Sequence, residues 1–406
     1  MKTKRNLIQI CLLVAVLLQA ATSGAQLIVT NIAAGFDDSL FLKSDGSLWA
    51  MGYNIYGQLG DGMIDGTFNS TNRPEQIVAT NVTAIAANSH SLFLKSDGSL
   101  WGMGYNGDGE LGDGTIINTN RPELIVSNNV TAIAAGSGHS LFLKNDGSLW
   151  AMGFGGDGSL GNGTVNSTNR PELIVSNNVT AIAVGDNHSL FLKSDGSLWA
   201  MGRNVEGELG DGTIINTNRP ELIVSTNVTA IAAGSDYSLF LTSDGSLWAM
   251  GQNQYGQLGD GTTNNINHPE PIVATNVTAI ATGLEHSLFL KSDGSLWAMG
   301  YNFFGELGDG TTDNGNYTTN RPEQIVAGSS VPPSYKISAQ LLSGGNVRLS
   351  FVGMVGTNYA LDRTFNLAPV NWVPQVTNPA GAGGVLVLTN MPNTASNNFW
   401  RVRYVP

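Results

Sequence analysis

Four histidines, His90, His139, His188 and His286, each stand immediately before a serine. A His-Ser pair is raw material for a base and a nucleophile, but that chemistry also needs an orienting group and an oxyanion site in one place. These pairs recur at one position in successive copies of a repeated unit, so they point around a structure rather than into a single site. Asp38 and Tyr237 take the same position in the two other copies. The histidines are therefore expected to steady the scaffold, since a shared metal would need their nitrogens about 2 Å from one ion. Asp61, Asp113, Asp211, Asp260 and Asp309, with Asn162, recur in L-G-D-G or L-G-N-G. They do not match the hand-type calcium loop, and Asp and Asn commonly cap their own turns. No metal or cofactor is expected. Arg-Pro-Glu recurs from Arg73, Arg121, Arg170, Arg219 and Arg321, with His268 once in place of Arg, and reads as a polar contact between units. Asn81, Asn129, Asn178, Asn227 and Asn276 each begin N-V-T, a glycosylation sequon that also suits a turn.

The informative positions are those where the copies disagree. After a shared Met-Gly come Tyr53-Asn54-Ile55-Tyr56, Tyr105-Asn106-Gly107-Asp108, Phe154-Gly155-Gly156-Asp157, Arg203-Asn204-Val205-Glu206, Gln252-Asn253-Gln254-Tyr255 and Tyr301-Asn302-Phe303-Phe304. The flanking residues are nearly identical, so chemistry differs between copies in these loops. Each follows the same strand, which places them all on one face. Tyr and Phe there offer large contact area at low entropic cost. The candidate ligand-binding residues are Tyr53, Tyr56, Tyr105, Phe154, Arg203, Tyr255, Tyr301, Phe303 and Phe304. A second variable set precedes the Ser-Leu: Phe36-Asp37-Asp38, Asn88-Ser89, Gly138, Asp186-Asn187, Ser235-Asp236 and Leu284-Glu285.

The elements that must hold these loops follow from the repeat. Trp49, Trp101, Trp150, Trp199, Trp248 and Trp297 all sit in D-G-S-L-W, spaced 52, 49, 49, 49 and 49 residues apart. Six units run from about Val29 to Val326. In each, four short strands are expected. In the third copy these are Thr131–Ala134, Ser140–Lys144, Ser148–Met152 and Pro171–Val175. Ser140 to Lys144 alternates its side chains between two faces, Asp146-Gly147 marks a tight hairpin with positive φ, and Pro171 suits a strand start or outer edge. Four strands per unit of 40 to 50 residues predict a β-propeller blade. The six tryptophans are expected in the core, one per blade.

The pattern G-x-x-H-S-L-x-L-x-x-D-G-x-L-W-x-x-G-x-N-x-x-G-x-L-G-D-G resembles the regulator of chromosome condensation repeat. Gly136 to Gly163 follows it, with Gly155 replacing the Asn and Asn162 the last Asp. The resemblance implies an all-β propeller, usually of seven blades. Here there are six units, so the expectation is six blades, with seven as the alternative. The first unit carries four extra residues between Gly62 and Arg73, and the last the same excess between Gly310 and Arg321. In a closed ring of six these insertions meet.

The ends of the chain differ from its middle. Lys2, Lys4 and Arg5 precede an apolar run from Leu7 to Leu18, then Ser23-Gly24-Ala25. Residues 1–25 are thus expected to be a signal peptide cleaved after Ala25. The run is short for a bilayer of roughly 30 Å. Cleavage removes Cys11, the only cysteine, and three cations, so the mature chain has no disulfide and a net charge of −15 in place of −12. Residues 26–328 form the propeller, 329–334 a linker, and 335–406 a small β-sandwich-like module of five or six strands, similar to C-terminal modules of exported bacterial proteins. Charged residues are only 12%, about half the usual globular share of roughly 25%. An acidic chain lacks the basic face that tracks phosphates, which argues against nucleic acid. The expectation is a non-catalytic, monomeric binding scaffold for a protein or glycan, secreted or at the cell surface. The repeat family includes proteins that recognise other proteins outside the cell. A propeller lyase or hydrolase, or a purely structural surface protein, would be the alternatives. An enzyme would need an asymmetric acid–base cluster, which the sequence does not offer.

Overall fold

The computed structural model describes residues 27–63, 70–312 and 319–328 in full. Beyond them it describes the backbone of the strands Ser338–Leu341, Val347–Val352, Asn358–Thr364, Val373–Pro379, Val385–Asn390 and Phe399–Val405. The two four-residue insertions fall on 64–69 and 313–318, outside the described residues, as do the leader and the linker.

Every described element is a strand. Six four-stranded sheets each take their strands in chain order, 1-2-3-4. They are the six blades of a β-propeller. In blade 3 the strands are Val130–Ala135, His139–Lys144, Leu149–Gly153 and Thr168–Val175, paired antiparallel. The first strands end around a common axis: Ala34, Ala87, Ala135, Val184, Ala233 and Thr282 all line one cavity of about 270 Å³. The fourth strand begins three residues before Pro171, because Gly153 pairs with Thr168 across an irregular register. Pro171 sits inside an outermost strand, where a missing N–H costs no ladder bond. The hairpin also departs from the simple two-residue form. Gly147 alone takes positive φ, at 75°, and Lys144 N donates to Ser148 O at 3.0 Å, while Asp146 Oδ1 accepts from Ser148 N.

Blades pack front to back. Leu141, Leu143, Leu149, Ala151 and Leu160 of blade 3 bury against Val179, Phe191 and Met201 of blade 4. Each fully buried side chain of this size contributes about 1.5–3 kcal/mol. Gly161 lets the blades close: its missing Cβ would stand 2.3 Å from Met201 Sδ. The backbone joins the blades too. Val179 N donates to Gly147 O at 3.0 Å, and the Asn before it, Asn178, takes φ 66°. The N-V-T asparagines in blades 2 to 6 all adopt this left-handed turn.

The tryptophans are not the deepest aromatics. Phe142 is fully buried, and Trp150 stacks on it at 6.1 Å but stays half-buried. The two residues pair across adjacent strands, so they share a face, but Trp lies on the strand further from the axis. Its Nε1 donates to Ser148 Oγ at 2.9 Å and Lys144 Nζ lies 4.2 Å over its ring. The expected core role belongs to the phenylalanines.

The seams are not all alike. Val82, Val130, Val179, Val228 and Val277, which open the first strands of blades 2 to 6, are each 4% exposed. Val29, their equivalent in blade 1, is 54% exposed, and Ile32 beside it 77%. Among the described residues, the flank of the first blade is therefore uncovered where the other five are covered.

The C-terminal strands form two antiparallel three-stranded sheets. One takes Ser338–Leu341, Val347–Val352 and Val385–Asn390 in that order; in the other, Asn358–Thr364 lies between Val373–Pro379 and Phe399–Val405. With Val373–Pro379 these make six strands among the described residues, within the five or six expected, and prolines at 374 and 379 break the alternation of that strand.

Candidate functional site

Gly52, Gly104, Gly153, Gly202, Gly251 and Gly300 end the third strands with φ between 103° and 113°. This conformation, open to glycine, turns each variable loop out of its blade. The loop is then pinned to the second variable set. Tyr105 N donates to Ser89 O at 3.3 Å, Phe154 N to Gly138 O at 2.7 Å, Arg203 N to Asn187 O at 3.0 Å and Gln252 N to Asp236 O at 2.9 Å. Both sets that vary between copies thus merge into one rim. Below it, Asn106 Oδ1 accepts from Leu111 N, and its Nδ2 donates to Asp113 Oδ1. Asp113 also accepts from Thr115 N at 2.7 Å. The L-G-D-G carboxylates are spent on capping their own turns.

The rim brings the nine predicted residues into three groups. Tyr56 meets Tyr53 at 6.4 Å and Tyr105 at 5.0 Å, both edge to face. Tyr56, Tyr105 and Phe154 line a cavity of about 340 Å³ that also takes in Asp108, Gly138 and Asn187. Tyr255 meets Tyr301 at 4.9 Å, Tyr301 stacks with Phe303, and Phe303 contacts Phe304 edge-on. Phe304 is 79% exposed. Arg203 stands apart from both aromatic groups. It lies 3.1 Å from Asp236 and 3.5 Å from Glu208.

Sequence reasoning missed Glu110 and Glu208, which stand just before L-G-D-G at a position that the repeat pattern leaves unspecified. Both are fully buried, and burial pushes each carboxyl up to about 7. Each accepts a backbone N–H, from Asp108 and Glu206 respectively, at 2.9 Å. The available signal was that this position reads Gln58, Glu110, Ser159, Glu208, Gln257 and Glu306 across the copies.

The histidines do what their repetition implied, with a twist. His139 Nε2 does not engage Ser140 beside it; it bonds Ser189 Oγ of the next blade at 2.8 Å. His90 reaches Ser140 at 2.7 Å and His188 reaches Ser238 at 3.0 Å. Each serine hydroxyl already donates to a carbonyl, as Ser189 does to Ser159 O at 2.9 Å. Each histidine must therefore donate from Nε2, which leaves Nδ1 as a buried acceptor with no partner among the described residues. Burial drives the pKa of His90, His139 and His188 down to about 3, 4 and 3. These are neutral fasteners between blades, and a substrate has no access to them. In blade 1 the fastener is missing: among the described residues Asp38 has no hydrogen-bond partner for either carboxyl oxygen.

The RCC1-like domain family model matches residues 119–350, more than half of the chain. The chain belongs to the RCC1-like domain family. Regulator of chromosome condensation repeat models also match residues 29–58 and 45–94. Among solved structures, human WBSCR16 is similar over 74% of this chain and 82% of its own, with 24% identity and a TM-score of 0.64. Prp20p, the RCC1 of Saccharomyces cerevisiae, aligns over 76% of this chain and 79% of its own at 23% identity, again with a TM-score of 0.64. At that identity the likeness is one of fold. Prp20p has been solved bound to Kap60, and its binding to Gsp1p and histones has been described.

Proposed function

We propose that this RCC1-like propeller is an exported, non-catalytic scaffold whose rim binds a protein. One observation carries the reading: the two loop sets that differ between copies are hydrogen-bonded into a single rim, and that rim holds the exposed aromatics. Residues shared by all blades serve packing and turns, so recognition falls to the unshared ones. The protein-binding record of Prp20p is consistent with this use of the fold. Export rests on the basic-apolar-small order of residues 1–25, and mass spectrometry of the secreted chain should show Gln26 at its start. The rim itself is tested by combining Tyr56→Ala, Tyr255→Ala, Phe303→Ala and Phe304→Ala. Tyr56, Phe303 and Phe304 are exposed and Tyr255 is half-buried. Exposed positions change stability by no more than about 0.5 kcal/mol each, whereas central interface aromatics carry about 2 kcal/mol or more of binding. The variant should melt near the parent and lose the protein that the parent captures from the producer's culture fluid. Undiminished capture would place recognition elsewhere.

A further inference from the structure

Blades 2 and 4 carry the same buried glutamate with different company. In blade 4, Arg203 opens the loop after Met-Gly and lies between Glu208 and Asp236. Two blades earlier, Glu110 stands in the register of Glu208, Tyr105 in that of Arg203, and Gly138 in that of Asp236. The carboxyl persists while its guanidinium is gone. Oε1 of Glu110 and Oε1 of Glu208 are both buried without a hydrogen-bond partner among the described residues; the difference is the ion pair at 3.5 Å that Arg203 gives Glu208 alone. In the same loops lies a cavity of about 340 Å³ bounded by Tyr105, Gly138, Asp108, Tyr56 and Phe154. Asp108 is the carboxyl in its wall, and its backbone N donates to Glu110 Oε2 at 2.9 Å.

The aromatic walls are set by two glycines. A Cβ on Gly107 would stand 2.3 Å from Tyr105 Oη, and one on Gly156 would stand 2.3 Å from Phe154 Cζ. Each ring therefore lies down on its own loop. Other copies have Ile55, Val205, Gln254 or Phe303 at this position, and a ring could not lie there. The Tyr105 phenol is held above its ordinary range by burial and then by the charges of Asp108 and Glu110, so both carboxyls are felt at the wall. Aromatic rings beside carboxylates attract a cation. The wider rim agrees in sign. Asp37, Asp157, Asp186, Glu206 and Glu285 lie in the same loops, and among the described residues Arg203 is the one cation there.

We infer that the cavity between blades 2 and 3 receives a guanidinium from the binding partner, an arginine side chain on a basic segment, where blade 4 supplies its own. The inference rests on the protein-binding reading of the rim and names the chemistry that the rim selects. The planar, fork-shaped group matches a carboxylate edge-on and stacks on aromatic faces.

Titration of the mature chain with acetyl-Gly-Arg-Gly-amide, followed by calorimetry, tests this. Saturable binding is expected, with the citrulline peptide, its neutral isostere, weaker by about tenfold or more. Tyr105→Arg should fill the cavity from within and abolish binding, and Asp108→Asn should weaken it while leaving the fold unchanged. Equal binding of the citrulline peptide, no binding of the arginine peptide, or full binding by both variants would overturn the inference. A partner protein captured through the four aromatics, with no arginine-peptide binding, sinks the inference alone. Peptide binding without any captured partner sinks the broader reading alone.

Discussion

The first strand of blade 1 and the first strand of blade 4 have nearly the same sequence and opposite surroundings. Val179 and Ile182 of blade 4 pack under the leucines of blade 3. Val29 and Ile32 of blade 1 face outward, with Leu27, Ile28 and Phe36 exposed around them. A repeat therefore encodes two half-interfaces, and only a neighbour turns a half into core. The deeper face shows the same split. Phe93, Phe142, Phe191, Phe240 and Phe289 are buried to 1% exposure or less, while Phe41 at their register stays partly open.

The largest effect that can break this contrast is at phenylalanine. Phe142→Ala removes a fully buried ring at the seam of blades 2 and 3 and should cost about 3–5 kcal/mol. Phe41→Ala should cost roughly half of that or less, because part of its surface already meets water. Urea unfolding of the two variants reads the difference. Equal losses would mean that the flank of blade 1 is covered in solution.

How much of this was legible in sequence depends on distance along the chain. D-G-S-L-W and L-G-D-G are local, so blades, hairpins and turn caps could be read directly. Phe142 and Trp150 both alternate correctly within their strands, but alternation gives a face and not a depth, so Trp was placed too far inside. The partner of His139 lies 50 residues away at Ser189, where no local pattern points. The variable loops announced Tyr56, Tyr105 and Phe154 because their surroundings do not change between copies. Glu110 stayed hidden because its neighbours Leu111 and Gly112 belong to the shared scaffold string.

A second effect concerns the fastener position, where blade 1 has Asp38 and blades 2 to 4 have histidine. Burial, then the charge of Asp37, raises the Asp38 carboxyl from 3.8 to about 7. The folded chain thus holds its proton more tightly than the unfolded chain. The stability this brings is complete below the unfolded value near 3.8 and is lost as pH rises through about 7. The histidines run the other way. Their folded pKa values of about 3 to 4 lie below the unfolded 6.5, so their contribution is complete above 6.5 and is lost as pH falls towards 4. Asp38→Asn carries no proton to lose. It should stabilise the protein at pH 8 by on the order of 2 kcal/mol and change little at pH 4. Melting at the two pH values checks the sign, and an equal gain at both would show that Asp38 is not titrating.

The smallest effect is the most discriminating, because one substitution is placed at one register in two blades. Ile32 pairs with Phe41 as Ile182 pairs with Phe191. Ile182 packs against the seam of blades 3 and 4, so Ile182→Lys drives an ammonium into a leucine-lined interface. Ile182 is half-buried, so the lysine stem must run along the leucine-lined seam before its ammonium meets water, and any burial of that charge without a partner is disfavoured. Ile32 is mostly in water already. Ile32→Lys puts its charge where solvent stands and should shift stability by no more than about 0.5 kcal/mol. The substitution removes apolar area from an exposed patch, so solubility should hold or improve. The identical side chain, backbone register and strand neighbour leave the facing blade as the one variable between the two sites. A melting temperature for Ile32→Lys depressed as far as that of Ile182→Lys would mean that something packs on the flank of blade 1, and that the first and fourth blades are equals after all.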